Sequence, residues 1–257
     1  MRKLGIFVLA VFGSSPGMAE TVPAEVQACL RANLPEKTVQ QTMELVSSRG
    51  DSGERELRAE LYATQPEPGQ LATMIDMQAP ADMAGARYLV LQNGDSEAVY
   101  VYLPALRRVR RITGSQQSDA LWGTDFSYAD LKQIQGMVGQ TPVEFLPLTD
   151  ADAPGRHRFS VQPPADSPYS RIEIDIHAAS CLPTQVLFFD RAGAAFKRLT
   201  SVPESFVQSG ERWLYSELNM ENLRENSQTR VRLSEVQYDE RISPALFRPN
   251  SFHFGAR

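Results

Sequence analysis

Alternation of apolar and polar side chains with period two recurs along most of the chain, and it limits the fold more than any other feature. Between residues 170 and 177, Ile172, Ile174 and Ile176 alternate with Arg171, Glu173 and Asp175. Between residues 55 and 63, Leu57, Ala59, Leu61 and Ala63 alternate with Glu56, Arg58, Glu60 and Tyr62. Successive side chains of a strand point to opposite faces, so each such run predicts a strand with one apolar side. The same reading predicts strands at 39–46, 71–77, 87–92, 97–103, 106–112, 143–148, 156–162, 184–190, 195–201, 213–219 and 229–239. Turn-forming stretches separate them, among them Gly50-Asp51-Ser52-Gly53 and Asn93-Gly94-Asp95. Consecutive strands joined by tight turns favour antiparallel pairing. The expected class is mainly β (α+β), with short helices at 23–33, 128–134 and 244–247; Asp125 or Ser127 is the expected cap of the second.

Several strands are apolar on both faces. Val99, Val101 and Leu103 face one way, while Ala98, Tyr100 and Tyr102 face the other. Val186 and Phe188 oppose Leu187 and Phe189. A sheet wetted on one side has no need of this. Either further segments cover the second face, or the sheet curls around an apolar cavity.

The first 19 residues read as a cleaved secretory signal peptide. Arg2 and Lys3 precede a short apolar run, and Gly17-Met18-Ala19 sets small residues before a cut after Ala19. That run is shorter than the ~20 apolar residues a bilayer span needs. The expectation is a soluble protein of the Gram-negative periplasm, with one domain over residues 20–257. Net charge is −5 and the pI about 5.4, which gives no support to nucleic-acid binding. Cys29 and Cys181 pair as one disulfide in an oxidising compartment, or stay as two buried thiols.

Motifs for chemistry are missing. There is no G-x-S-x-G, P-loop or G-x-G-x-x-G. His157, His177 and His253 lack metal-ligand spacing. Ser52 in Gly50-Asp51-Ser52-Gly53 has no histidine upstream of it and reads as a turn. The run from Asp150 to Gly155 starts like a calcium loop, but Pro154 stands where an oxygen ligand belongs. A binder without cofactor, metal or catalytic group is expected; an envelope hydrolase is the outlying alternative.

The most distinctive segment spans residues 100–131. It contains Tyr102-Leu103-Pro104-Ala105-Leu106-Arg107-Arg108-Val109-Arg110-Arg111-Ile112 and then Gly123-Thr124-Asp125-Phe126-Ser127-Tyr128-Ala129-Asp130-Leu131. Guanidinium groups suit bidentate contacts with phosphate or carboxylate. Arg108, Arg110 and Arg111 therefore either pair with Asp119, Asp125 and Asp130 or meet an anionic headgroup at a cavity mouth. This run resembles the outer-membrane lipoprotein-sorting family, the LolA-like proteins. Leu187-Phe188-Phe189-Asp190 and Ile242-Ser243 to Phe247-Arg248-Pro249 resemble that family's later strands and closing turn, and Ala120-Leu121-Trp122 departs from its Ser-Phe-Met-like run.

The resemblance implies a strongly curved, antiparallel, incomplete barrel with helices plugging or lidding its concave face. It implies binding and transport of a lipid or acylated protein through the periplasm toward the outer membrane. The implied partners are acyl chains, an inner-membrane transporter of the resistance-nodulation-division type and an outer-membrane acceptor. The alternative is a non-enzymatic, protein-binding accessory subunit of such a transporter. Under the carrier reading, Tyr100, Tyr102, Phe145, Phe188 and Trp213 are the candidate cavity lining, and Trp122 and Phe126 the candidate lid.

Overall fold

The computed structural model describes residues 28–29, 31–50, 53–93, 96–136, 143–145, 155–163, 165, 167–238 and 241–255. The alternating runs form strands where alternation predicts them. A first meander comprises β1 (Val39–Arg49), β2 (Glu54–Thr64), β3 (Gln70–Ala79), β4 (Arg87–Asn93), β5 (Ser96–Leu103) and β6 (Arg108–Ile112). After helix α1 (Tyr128–Gly136), a second comprises β7 (Val143–Phe145), β8 (Arg156–Val161), β9 (Arg171–His177), β10 (Leu182–Phe189) and β11 (Ala195–Thr200). The chain then forms β12 (Phe206–Ser209), β13 (Arg212–Tyr215), β14 (Glu217–Asn222) and β15 (Ser227–Tyr238).

Thirteen strands make one sheet in the order β6-β5-β4-β3-β2-β1-β15-β14-β11-β10-β9-β8-β7, and β12 and β13 pair apart from it. The pairing between neighbours is antiparallel, as the turn-linked order predicts. The two meanders meet at the centre, where β1 runs along β15 from Val39 opposite Tyr238 to Arg49 opposite Ser227. Strands β6 and β7 end the order without pairing to each other, so the curved sheet stays open.

Three boundaries differ from expectation for local reasons. The strand expected from 106 starts at Arg108, because Pro104–Leu106 is a 3₁₀ turn closed by Arg107 at φ 46. Proline has no N–H for a ladder and suits a first helical turn. The run 213–219 breaks at Ser216 into β13 and β14, and β12 was not predicted, being too short to show alternation. Residues 244–247 form a 3₁₀ turn, with Pro244 in its first turn and the Ser243 side chain accepting from the Ala245 N–H. Most of the helix expected at 23–33 lies outside the described residues; 28–29 and 31–32 are helical.

The two apolar faces of the sheet serve two separate cores. On the concave side Leu45, Ala59, Ile75, Met77, Val101, Ile174, Val186, Met220 and Val231 join one cluster with Leu121, Trp122, Phe126 and Ala129 from the segment that enters α1. On the convex side Tyr62, Met74 and Leu89 pack beneath Leu246, Phe247 and Phe252 from the closing 3₁₀ turns. Covering segments on both faces therefore account for the doubly apolar β5, whereas on β10 the outward Phe189 lies under the Arg171 guanidinium, 4.2 Å from its ring centroid. Cys29 and Cys181 form a disulfide, with Cα atoms 5.2 Å apart and 152 residues between them in sequence. Asn33 reinforces that tie, its side-chain amide donating to the Ser180 carbonyl at 2.7 Å and accepting from the Trp213 N–H at 2.8 Å.

Candidate functional site

The concave face is filled by a plug built from residues 120–136. Its tip is a tight hairpin: Ala120 bridges Ser127, the Leu121 N–H donates to the Phe126 carbonyl at 2.7 Å, and the Thr124 N–H to the Leu121 carbonyl at 2.8 Å. The two residues at the bend, Trp122 (φ 57) and Gly123 (φ 73), both have positive φ, as a type I′ turn demands. Glycine takes that conformation freely; a bulky residue there is strained, and packing must hold it. Trp122 is held by an edge-on contact with Tyr88, ring centroids 5.1 Å apart. Burial raises the Tyr88 pKa to about 12.

Two buried carboxylates fasten the plug to the sheet. Asp125 takes hydroxyl donations from Ser227 and, at 2.7 Å, from Thr229 on β15, while its own N–H donates to the Thr229 hydroxyl at 3.0 Å. Ser127 caps α1: its hydroxyl accepts from the Asp130 N–H at 3.2 Å, and the Asp130 carboxylate accepts from the Ser127 N–H at 2.7 Å. This is a reciprocal capping box with aspartate as the acid. Asp130, 0% exposed, also accepts from the Tyr169 hydroxyl at 2.6 Å and from Lys197 Nζ at 2.7 Å. Burial, followed by the Asp130 charge, raises the Tyr169 pKa. Farther along α1, Lys132 donates to Gln117 at 3.0 Å and pairs with Glu97 at 3.3 Å, latching the helix to β5.

The residues singled out in the sequence fall into five places. Phe188, Trp122 and Phe126 meet in the concave core. Tyr100 and Tyr102 do not: they lie on the convex side under the closing turns, because alternation gives the concave side to Val99 and Val101. Trp213 belongs to the separate β12–β13 hairpin, opposite Gln208. Phe145 ends β7, and its side chain lies outside the described residues, as do Ser52 and residues 150–154. Arg108, Arg110 and Arg111 are exposed on the edge strand β6. Pairing with Asp125 and Asp130 is thereby overturned, since both acids are engaged inside the plug.

Sequence reasoning missed Lys197 and Tyr169 as partners of Asp130. A cavity of about 260 Å³ with a mixed polar and apolar lining opens beside them, lined in part by Arg49, Thr124, Phe126, Tyr169, Lys197 and Arg224. A second, of about 540 Å³, sits on the convex side around Tyr62, Asp76, Gln78, Arg87, His253 and Phe254. Among the described residues no group of three or more His, Cys, Asp or Glu is placed to hold a metal ion. No described helix is long and apolar enough to cross a membrane.

A family model described as "Uncharacterized protein" matches residues 69–253, a span that includes the plug and much of both cores. The chain belongs to that family. No curated protein sequence matches the chain. Among solved structures, a domain from Vibrio parahaemolyticus described as an outer membrane lipoprotein-sorting protein superposes with a TM-score of 0.78 at 20% identity, over 89% of this chain and 97% of its own. A DUF1329 family protein from Desulfovibrio piger gives 0.76 at 22% identity, over 89% and 98%. A LolA superfamily protein from Nitrosomonas europaea gives 0.65 at 13% identity, over 89% and 98%. The fold of this family member is LolA-like: a large curved antiparallel sheet, not closed, with one described helix.

Proposed function

We propose that this protein binds an acyl chain of a lipid or lipoprotein in its concave face, and carries it across the periplasm toward the outer membrane. The observation that carries the reading is how that face is filled. Among the described residues no second sheet covers it; a hairpin and short helix do, holding Trp122 at positive φ over a bed of Ile, Val, Leu, Met and Phe side chains. Displacing Trp122, Phe126 and the apolar side of α1 uncovers a trough for an alkyl chain, which gains ~0.8 kcal/mol per buried methylene. No catalytic group is needed. The lipoprotein-sorting description of the Vibrio parahaemolyticus domain supports the same ligand class. A signal peptide ending at Ala19 delivers the chain to that compartment, and an inner-membrane transporter and an outer-membrane acceptor are its proposed partners.

The test is native mass spectrometry of the protein purified from periplasm without detergent, followed by organic extraction. One lipid or acylated adduct per chain is expected. Lys132→Ala, which removes the latch between α1 and β5, is expected to speed uptake of a fluorescent fatty acid several-fold while the fold persists by circular dichroism. A homogeneous unliganded mass, with no fatty-acid uptake by either protein, overturns the carrier and favours a protein-binding accessory subunit.

A further inference from the structure

We infer that the β5–β6 end of the sheet docks on an anionic lipid bilayer. Four arginines stand within five residues there: Arg107 in the turn and Arg108, Arg110 and Arg111 on β6. All four are exposed, and among the described residues none makes an ion pair or side-chain hydrogen bond. The strand spreads them over both faces. Ile112 packs on the concave core, so Arg108 and Arg110 share its side; Val109 packs on the convex cluster, so Arg111 shares that one. The result is an unneutralised positive ridge on a chain of net charge −5.

Apolar side chains project beside the ridge. Leu106, at the turn, is 56% exposed, and Phe254 is 69% exposed. Phe254 belongs to this end of the sheet: the adjacent His253 ring lies 5.4 Å from the Tyr102 ring, and Tyr102 is opposite Val109 on β6. Basic groups flanking exposed leucine and phenylalanine fit a headgroup layer, with guanidinium on lipid phosphates and the apolar side chains reaching the acyl boundary. Charges on an edge strand also discourage strand-to-strand aggregation. That role asks for neither four unpaired arginines nor apolar side chains next to them. Docking goes beyond acyl binding and can fail while acyl binding stands, since it reads surface attachment alone.

The test is sedimentation of the full chain with vesicles of phosphatidylethanolamine and phosphatidylglycerol, against vesicles of phosphatidylcholine. Binding is expected only to the anionic vesicles and is expected to fade with salt. At the known contribution of each arginine near an anionic surface, Arg110→Gln/Arg111→Gln is expected to lower partitioning about thirty-fold. Arg230→Gln/Arg232→Gln, an equal charge change at exposed positions of β15, is expected to leave it nearly unchanged. Leu106→Ser is expected to weaken binding at high salt, where the apolar contact dominates. Equal loss in both double variants, equal binding to both vesicle types, or binding to polyglutamate with none to vesicles overturns the proposal, the last in favour of an acidic protein face.

Discussion

Asp130 shows how much can rest on one side chain. Its carboxylate, itself fully buried, takes donations from the Ser127 backbone and hydroxyl, the Tyr169 hydroxyl and Lys197 Nζ. Removing one donor from a buried acceptor costs about 1–3 kcal/mol, so Tyr169→Phe should lower the unfolding free energy by that amount at neutral pH, read as a lower urea midpoint. The same substitution reports on alkaline behaviour. Burial raises the folded-state pKa of Tyr169, and of Tyr88 to about 12, above the usual phenol value near 10. The stability this confers is fully present below the unfolded pKa and is lost as pH rises from about 10 through the folded values. Urea titrations at about pH 8 and about pH 11 should show that fall, and a smaller one in Tyr169→Phe. An equal fall in both proteins would contradict the assignment. The Ser127-x-x-Asp130 spacing is readable as a capping box. Lys197 and Tyr169 are not readable as its partners, because they stand 67 and 39 residues from Asp130 and only the folded, curved sheet brings them near.

Among the elements, long strands were legible because alternation over seven or more residues has few rival explanations, as in β2 and β9. The face each residue takes was legible too; which face holds the plug was not. Tyr100 and Tyr102 read as well for a ligand pocket as for the closing turns that cover them, since an apolar face carries no mark of its occupant. Strand β12, and with it the pairing of the β12–β13 hairpin, is not legible because four-residue strands show two alternations at most. It sits where the N-terminal segment is tied down: Arg212 donates to the Leu34 carbonyl at 2.8 Å and pairs with Glu36 at 2.6 Å. The disulfide anchors the same segment. Cys29→Ser/Cys181→Ser should therefore lower the unfolding free energy by about 2–5 kcal/mol. In native-state hydrogen exchange, residues 31–36 should lose protection before the sheet does. Unchanged protection there would place the anchor in the hairpin contacts alone.

At the scale of the whole molecule, the two meanders share one sheet and one concave core, so neither half has a complete interior of its own. Unfolding should be a single transition. The chain has two tryptophans, and Trp213→Phe leaves Trp122 as a sole fluorescent reporter in the plug. Its urea midpoint should coincide with that of far-ultraviolet circular dichroism, which reports the sheet; separated midpoints would mean that the plug opens as an independent unit. The central strand pair also sets a timetable. Ribosomes make β1 first and β15 last, yet these two lie side by side in the middle of the sheet. Contacts so distant in sequence form slowly. A nascent chain reaches residue 226 with its first meander still missing a neighbour for β1, and that open edge stays unsatisfied until the final strand is made. Vectorial synthesis thus keeps the protein from settling early, which leaves it threadable for as long as its C-terminal strand has yet to arrive.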